Sequence, residues 1–185
     1  TVEDGRHYMK EYMALSAGAV SILGSSNTAD YAIRSQISGT NNILKGQASS
    51  VSTFNTVSGY GNEGTNISRS TIVGTRNDLK NGEDNVVIGD FHNFDGGKHN
   101  VVLGSMAAEE QDVTKSFTNS SGSSTYTYTV KELVATRRNT ANIENAVMLG
   151  YNTDVTRNGG VALGSESIAS VDKGIAGYDP TTKAA

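Results

Sequence analysis

Residues 70–104 read STIVGTRNDLKNGEDNVVIGDFHNFDGGKHNVVLG, and one pattern stands in them three times. The runs Thr71-Ile72-Val73, Val86-Val87-Ile88 and Val101-Val102-Leu103 each close on a glycine: Gly74, Gly89 and Gly104. Working outward, the same beat takes in Gly24, Gly39 and Gly59 on one side and Gly150 and Gly164 on the other. The intervals are 15, 20, 15, 15, 15, 46 and 14 residues. A fixed period of this size marks stacked units, none of which can bury its apolar side alone.

Two residues before the glycines sit Ile22, Ile37, Val57, Ile72, Val87, Val102, Met148 and Ala162, all apolar. Five residues after them sit Ala29, Leu44, Leu79, Phe94, Val155 and Ala169, with Gly64 and Glu109 as exceptions. Two apolar columns per unit predict two short strands and two tight turns, with coils stacked at the ~4.8 Å spacing of neighbouring strands. The predicted core is the first column together with Leu79, Phe94 and Val155. Glycine supplies the positive φ of one turn. Asn27, Asn41, Asn62, Asn77, Asn93 and Asn152 fall near the next corner, where asparagine tolerates the left-handed region.

Composition agrees with an all-β solenoid. The 185 residues include 21 Gly, no Trp, no Cys and one proline, Pro180. Proline cannot donate to a strand ladder, so its absence from the first 179 positions suits strands throughout. The missing cysteine removes disulfides, thiolate metal sites and cysteine nucleophiles. A net charge of -4 carries no nucleic-acid footprint. No apolar run reaches membrane-spanning length and no secretion signal is read, so an extracellular role would make this chain a piece of a longer protein.

In Val86-Val87-Ile88, Val101-Val102-Leu103 and Val147-Met148-Leu149 both faces of the strand are apolar. Such a strand needs cover on both sides, and a thin coil has one interior. The second face is expected to meet another copy of the chain, giving an obligate homo-oligomer; a flanking segment lying over it is the alternative.

Over residues 145–178, NAVMLGYNTDV and GGVALGSESIAS resemble the head repeats of trimeric autotransporter adhesins, the YadA-like head. Val161, Ala162, Leu163, Gly164, Ser167 and Ala169 match that pattern, and KGIAGYDPTT resembles the connector to the next fibre module. Residues 70–104 match moderately and 19–64 weakly. The resemblance implies three parallel left-handed β-rolls about a threefold axis. It also implies a type V secretion fibre on a bacterial surface and an outer-membrane β-barrel anchor outside this fragment. The expected fold is thus an all-β, trimeric, left-handed parallel β-roll. Its parts are an N-terminal cap over 1–18, a roll over 19–170 interrupted by an insertion at 105–144, and a neck or connector over 171–185. Ser38 and Ser58, and the five extra residues between Gly39 and Gly59, put strand register there in question.

In the first segment Tyr8, Tyr12 and Leu15 fall at helical spacing and Gly18 is a stop, so a helical cap over the exposed strand edges is expected; a helix docking on a partner is the alternative. In the insertion, KSFT and TYTYTV flank NSSGSS, which predicts a hairpin, and VKELVATRR is read as a short helix. Tyr126 and Tyr128 alternate with Thr125 and Thr127, and these four are the candidate ligand contacts. Two tyrosines on one strand face either form a binding tip or brace a neighbouring roll.

Other motifs carry less. GYGNEG (Gly59, Gly61, Gly64) has the glycine spacing of a dinucleotide loop, but no helix follows it. Asp90, His92, Asp95 and His99 cluster without ligand spacing and are read as solvated loop residues. Adjacent Glu83-Asp84 and Glu109-Glu110 point apart and make poor acid–base pairs. No catalytic residue, cofactor or metal is expected. The functional expectation is a non-enzymatic adhesin head attaching to host cells, matrix or other bacteria, with a protein or glycan receptor. The alternatives are a trimeric phage or tail-fibre receptor binder, a structural fibre spacer, and, further off, a β-helix enzyme acting on polysaccharide.

Overall fold

A computed structural model describes residues 20–118, 122, 124–172 and 181. The expected helical cap over 1–18, and all of the connector but residues 171, 172 and 181, lie outside them. The described residues are all β, mostly in parallel ladders, with no helix.

The first sheet has eight parallel strands in chain order: β1 (Ser21–Ser25), β4 (Gln36–Thr40), β7 (Thr56–Tyr60), β9 (Thr71–Thr75), β11 (Val86–Ile88), β13 (Val101–Leu103), β16 (Val147–Leu149) and β18 (Val161–Leu163). The second sheet comprises β2 (Thr28–Asp30), β5 (Ile43–Lys45), β8 (Glu63–Thr65), β10 (Asp78–Lys80) and β12 (Asn93–Asp95). Beyond the insertion, β17 (Asp154–Val155) pairs with β19 (Ile168–Ala169). A third ladder starts as β3 (Ala32–Ile33) on β6 (Ser52–Thr53), then continues as single bridges from Thr53 through Ser68, Glu83 and Lys98 to Glu144. The coil therefore has three ladders, where two strands were expected. Its extra corners come from further left-handed residues: within one coil Gly74, Arg76, Asn81 and Asp84 all have positive φ. In-register stacking sets like positions side by side, and the third ladder avoids repulsion by alternating sign, with Glu83 taking Lys98 at 2.6 Å and Arg69 at 2.7 Å.

Ile37, Val57, Ile72, Val87, Val102, Met148 and Ala162 of the first column are buried, as are Leu79, Phe94 and Val155 of the second. Ile22 differs: it is 48% exposed, because β1 pairs only with β4 and no described coil lies on its other side. The exception at Gly64 has a packing reason. A Cβ there would lie 2.6 Å from Ile67 Cδ1, so Ile67 fills the place a side chain at 64 would take.

The glycine column is required by the closeness of the coils as well as by φ. A Cβ on Gly89 would stand 1.6 Å from the carbonyl oxygen of Gly104, which no side chain can survive.

Register holds through both irregularities. Gln36 pairs with Thr56 and Gly39 with Gly59, so the five extra residues leave the sheet as a turn closed by Gln47 and Ser50. Ser38 donates to Ser58 Oγ at 2.9 Å. Val101 pairs with Val147 across the long insertion.

The corner asparagines do something other than expected. Of the six, only Asn41 and Asn152 have positive φ. Asn27, Asn42, Asn62 and Asn77 form a side-chain ladder inside the stack. Each Oδ1 accepts the next rung's backbone N–H, at 2.9 Å for Asn42 on Asn27 and 3.1 Å for Asn62 on Asn42 and for Asn77 on Asn62. The amide groups also donate to the carbonyl of the following coil's glycine, at 2.7 Å for Asn62 to Gly74 and Asn77 to Gly89. A second buried ladder runs through Ser35, Asn55, Ser70, Asn85 and Asn100, and ends where Ala146 N donates to Asn100 Oδ1 at 2.9 Å. Corner peptides that a strand ladder cannot pair are thereby satisfied without water.

Candidate binding site: the hairpin and the cleft at its base

The insertion is a hairpin of β14 (Ala108–Thr118) and β15 (Thr125–Ala135), paired antiparallel from Ala108↔Ala135 to Thr118↔Thr125. The short helix expected over VKELVATRR is not formed: Val130–Ala135 continue β15. Local propensity loses there to cross-strand partners, since Val130 faces Val113 and Lys131 reaches Glu110 at 3.1 Å.

Directly opposed residues share a face. Tyr126 opposes Phe117 and Tyr128 opposes Lys115, so the tyrosines lie on one side with Val113, Val130 and Val134. Thr125 and Thr127 lie on the other, opposite Thr118 and Ser116. The four candidate contacts therefore split into an aromatic face and a hydroxyl face. Tyr126 is 61% and Tyr128 51% exposed.

The hairpin is bound to the roll at its base. Arg76, at a corner of the roll, donates to the Leu133 carbonyl at 2.9 Å and pairs with Glu132 at 3.4 Å. Hydrogen bonding from Lys115 holds the Glu132 carboxyl below the usual carboxylate range, and Arg76 adds to this. Past β15, Arg137 donates to the Asn152 side-chain oxygen at 3.1 Å and to its carbonyl, and lies 3.6 Å from buried Asp154. Thr140 Oγ1 donates to the same Asp154 at 2.8 Å.

His92 takes the next position of the asparagine ladder. Its Nε2 meets the Gly104 carbonyl at 2.6 Å, the contact Asn77 makes one coil earlier. Its Nδ1 lies 3.2 Å from Oδ1 of Asn139, which also accepts the Asn93 N–H at 3.1 Å. Asn139, returning from the insertion, supplies the rung that the interrupted coil lacks. Burial pushes the His92 imidazole below its ordinary value, against the opposing pull of its hydrogen bonds.

Between β15 and the roll lies a cleft of about 240 Å³, lined by Arg76, Phe91, His92, Asn93, Leu133, Val134, Ala135, Arg137 and Arg138. Sequence reading did not single out its arginines. Arg76 and Leu133 are 57 positions apart, and no periodic signal links them.

The residues of FHNFDGGKHN point to separate duties. Asp90 accepts the Thr75 N–H at 2.8 Å, Asp95 accepts from Asn81 at 2.9 Å, and His99 lies 3.6 Å from Asp84, next to the third ladder. Among the described residues no group of three or more His, Cys, Asp and Glu is placed to hold a metal ion. Gly59, Gly61 and Gly64 fall in the turn and strand of one coil, without a helix N-terminus to receive a phosphate. No family model, curated protein or solved structure matches this chain.

Proposed function

We propose that this chain is the head of a homotrimeric bacterial surface adhesin of the YadA-like kind, a left-handed roll that is not an enzyme. It would stand outside the outer membrane on a fibre whose anchor lies beyond this fragment, and attach to host cells, matrix or other bacteria. The observation that carries this reading is the outward face of the first sheet. Ile88, Val101, Leu103, Val161 and Leu163 stand exposed there, Leu163 at 69%, while Val87, Val102 and Ala162 between them fill the roll. A parallel sheet apolar on both sides needs a second layer, and no described residue supplies one. Two sister chains would supply it and would multiply weak contacts into avidity. The resemblance at 145–178 chooses three copies and the surface setting.

Sedimentation of the purified chain tests the assembly. A trimer is expected, and V161S/L163S should shift it toward single chains. A wild-type chain that remains monomeric and folded at micromolar concentration would refute it. A structural fibre spacer is the second reading, and the hairpin standing off the roll speaks against it. The hairpin also offers a functional test. Replacing Tyr126 and Tyr128 with serine should abolish attachment with the trimer intact if they form a binding tip, and should loosen the trimer if they brace a neighbour. Attachment unchanged after removal of the hairpin would favour the spacer.

A further inference from the structure

We propose that the cleft between the hairpin and the roll binds a single anionic sugar unit, one bearing a carboxylate or a sulfate, at the end of a surface glycan. This rests on the adhesive reading and gives it a ligand class.

Three guanidinium-bearing residues, Arg76, Arg137 and Arg138, line one small space, and its lining contains no Asp or Glu, on a chain whose net charge is -4. Two of the three are fixed in advance. Arg76 is held by the Leu133 carbonyl and Glu132, and Arg137 by Asn152 and Asp154. Arginines locked by other contacts lose little further freedom when an anion arrives beside them. Arg138 is exposed and makes no hydrogen bond or ion pair among the described residues. Its charge is the one left for a ligand.

Phe91 supplies an apolar wall. It occupies a left-handed corner (φ 64) that neighbouring coils give to Asn41, Gly61 and Arg76, a costly place for an aromatic ring. A ring in a cleft lined by arginines suits a pyranose, with a C–H face to stack and a charged substituent for Arg138 to hold. At about 240 Å³ the cleft falls below the ~300–1,000 Å³ of sites for drug-sized ligands, so it admits one sugar unit and not a length of chain. Single-stranded nucleic acid would need successive stacking rings along an extended basic groove, and a cleft of about 240 Å³ with Phe91 as its apolar ring does not provide that.

Calorimetry on the full chain with 3′-sialyllactose, a heparin-derived disaccharide, lactose and a short DNA oligonucleotide tests the assignment. Saturable binding is expected to a charged sugar and not to lactose. Sialyllactose alone would identify the carboxylate, and the heparin disaccharide alone the sulfate. Arg138→Ala should weaken that binding at least about tenfold, because one charge-assisted bond is lost, and should leave Tm unchanged. Equal binding by R138A, binding of the oligonucleotide alone, or no saturable binding to either charged sugar would each overturn the inference. Attachment of the displayed head to cells stripped of sialic acid and of sulfated glycans separates the two levels. Undiminished attachment refutes the cleft and leaves the adhesin standing, whereas a head that attaches to no surface removes both.

Discussion

Asn62 is the rung on which the internal ladder can be tested most severely. It is fully buried, and its Nδ2 donates to Asn42 Oδ1 at 2.9 Å, Ser58 O at 3.1 Å and Gly74 O at 2.7 Å. Its Oδ1 accepts both the backbone N–H and the side-chain amide of Asn77, at 3.1 and 3.0 Å. Asn62→Ala removes all of these and leaves the Asn77 N–H with no acceptor in a dry interior. A net ~1 kcal/mol for each of the two or three bonds that matter, plus ~1–3 kcal/mol for the orphaned donor, gives a loss of about 4 kcal/mol. That is a large share of the ~5–15 kcal/mol that holds a typical domain together. Asn27→Ala is the internal control. Asn27 bears the same bonds downstream, but it is half-buried at the end of the described stack, where water can replace them. Its loss should be about half as large. Urea denaturation at one fixed protein concentration reads both, since association would otherwise move the midpoints. An Asn62→Ala variant within about 1 kcal/mol of wild type, or an Asn27→Ala variant hurt as badly, would refute the claim that the ladder satisfies buried corners.

Gly89→Ala should fail to fold or should lose most of its stability, because its Cβ would meet Gly104 O at 1.6 Å; Gly164→Ala, whose nearest neighbour would be Ser167 Oγ at 3.7 Å, should cost only the ~1–2 kcal/mol of a left-handed alanine, and circular dichroism melts would separate them. Burial keeps the His92 pKa below its unfolded value, so as pH falls the unfolded chain takes the proton first; the contribution of His92 is complete above about pH 6.5 and is lost as pH drops from there through the folded value. His92→Asn removes that titration and can still donate to Gly104 O, so its Tm should fall less than wild type between pH 7.5 and 5, and parallel Tm–pH curves would show the reasoning wrong.

The roll was legible because two of its constraints leave single-residue signatures. Only glycine fits where coil backbones nearly touch, and only apolar residues fit at Ile37, Val57, Ile72 and Val87. The second polar ladder was equally periodic, since Ser35, Asn55, Ser70, Asn85 and Asn100 each stand immediately before a strand of the first sheet. It passes unnoticed when only apolar residues are counted. The 130–138 stretch misleads for a different reason. Val130, Leu133 and Val134 have helical spacing, and Lys131, Glu132 and Ala135 favour helix. The outcome is set by β14 opposite and by Arg76 bonding the Leu133 carbonyl, neither of which is local. The cleft is invisible for the same reason: Arg76 and Phe91 hold the same corner one coil apart, but Leu133 and Arg138 reach them only through the insertion.

The two buried ladders and the outward apolar face answer different needs, and their distribution shows how the stack divides them. Inside, the asparagines and serines of the two ladders satisfy the corner peptides they reach, so a coil one or two side chains deep can be dry, although the side-chain oxygen of Asn66 at another corner stays buried without a partner. This holds each coil to its neighbours along the stack and adds nothing sideways. Sideways demand changes along the chain. On the outward side of β4 and β7, Ser38 and Ser58 bond one another, and Thr56 and Thr71 stand beside them, so water is an acceptable neighbour. From β11 to β18 the same positions become Val86, Ile88, Val101, Leu103, Val161 and Leu163, and water is not. In the proposed trimer the strands from β11 to β18 would therefore have the greatest need of sister chains, with Leu23 of β1, 72% exposed, standing alone at the other end. In that proposed trimer a ligand held at the hairpin base would sit beside these apolar coils, and three copies of the cleft would be held in fixed relation to one another.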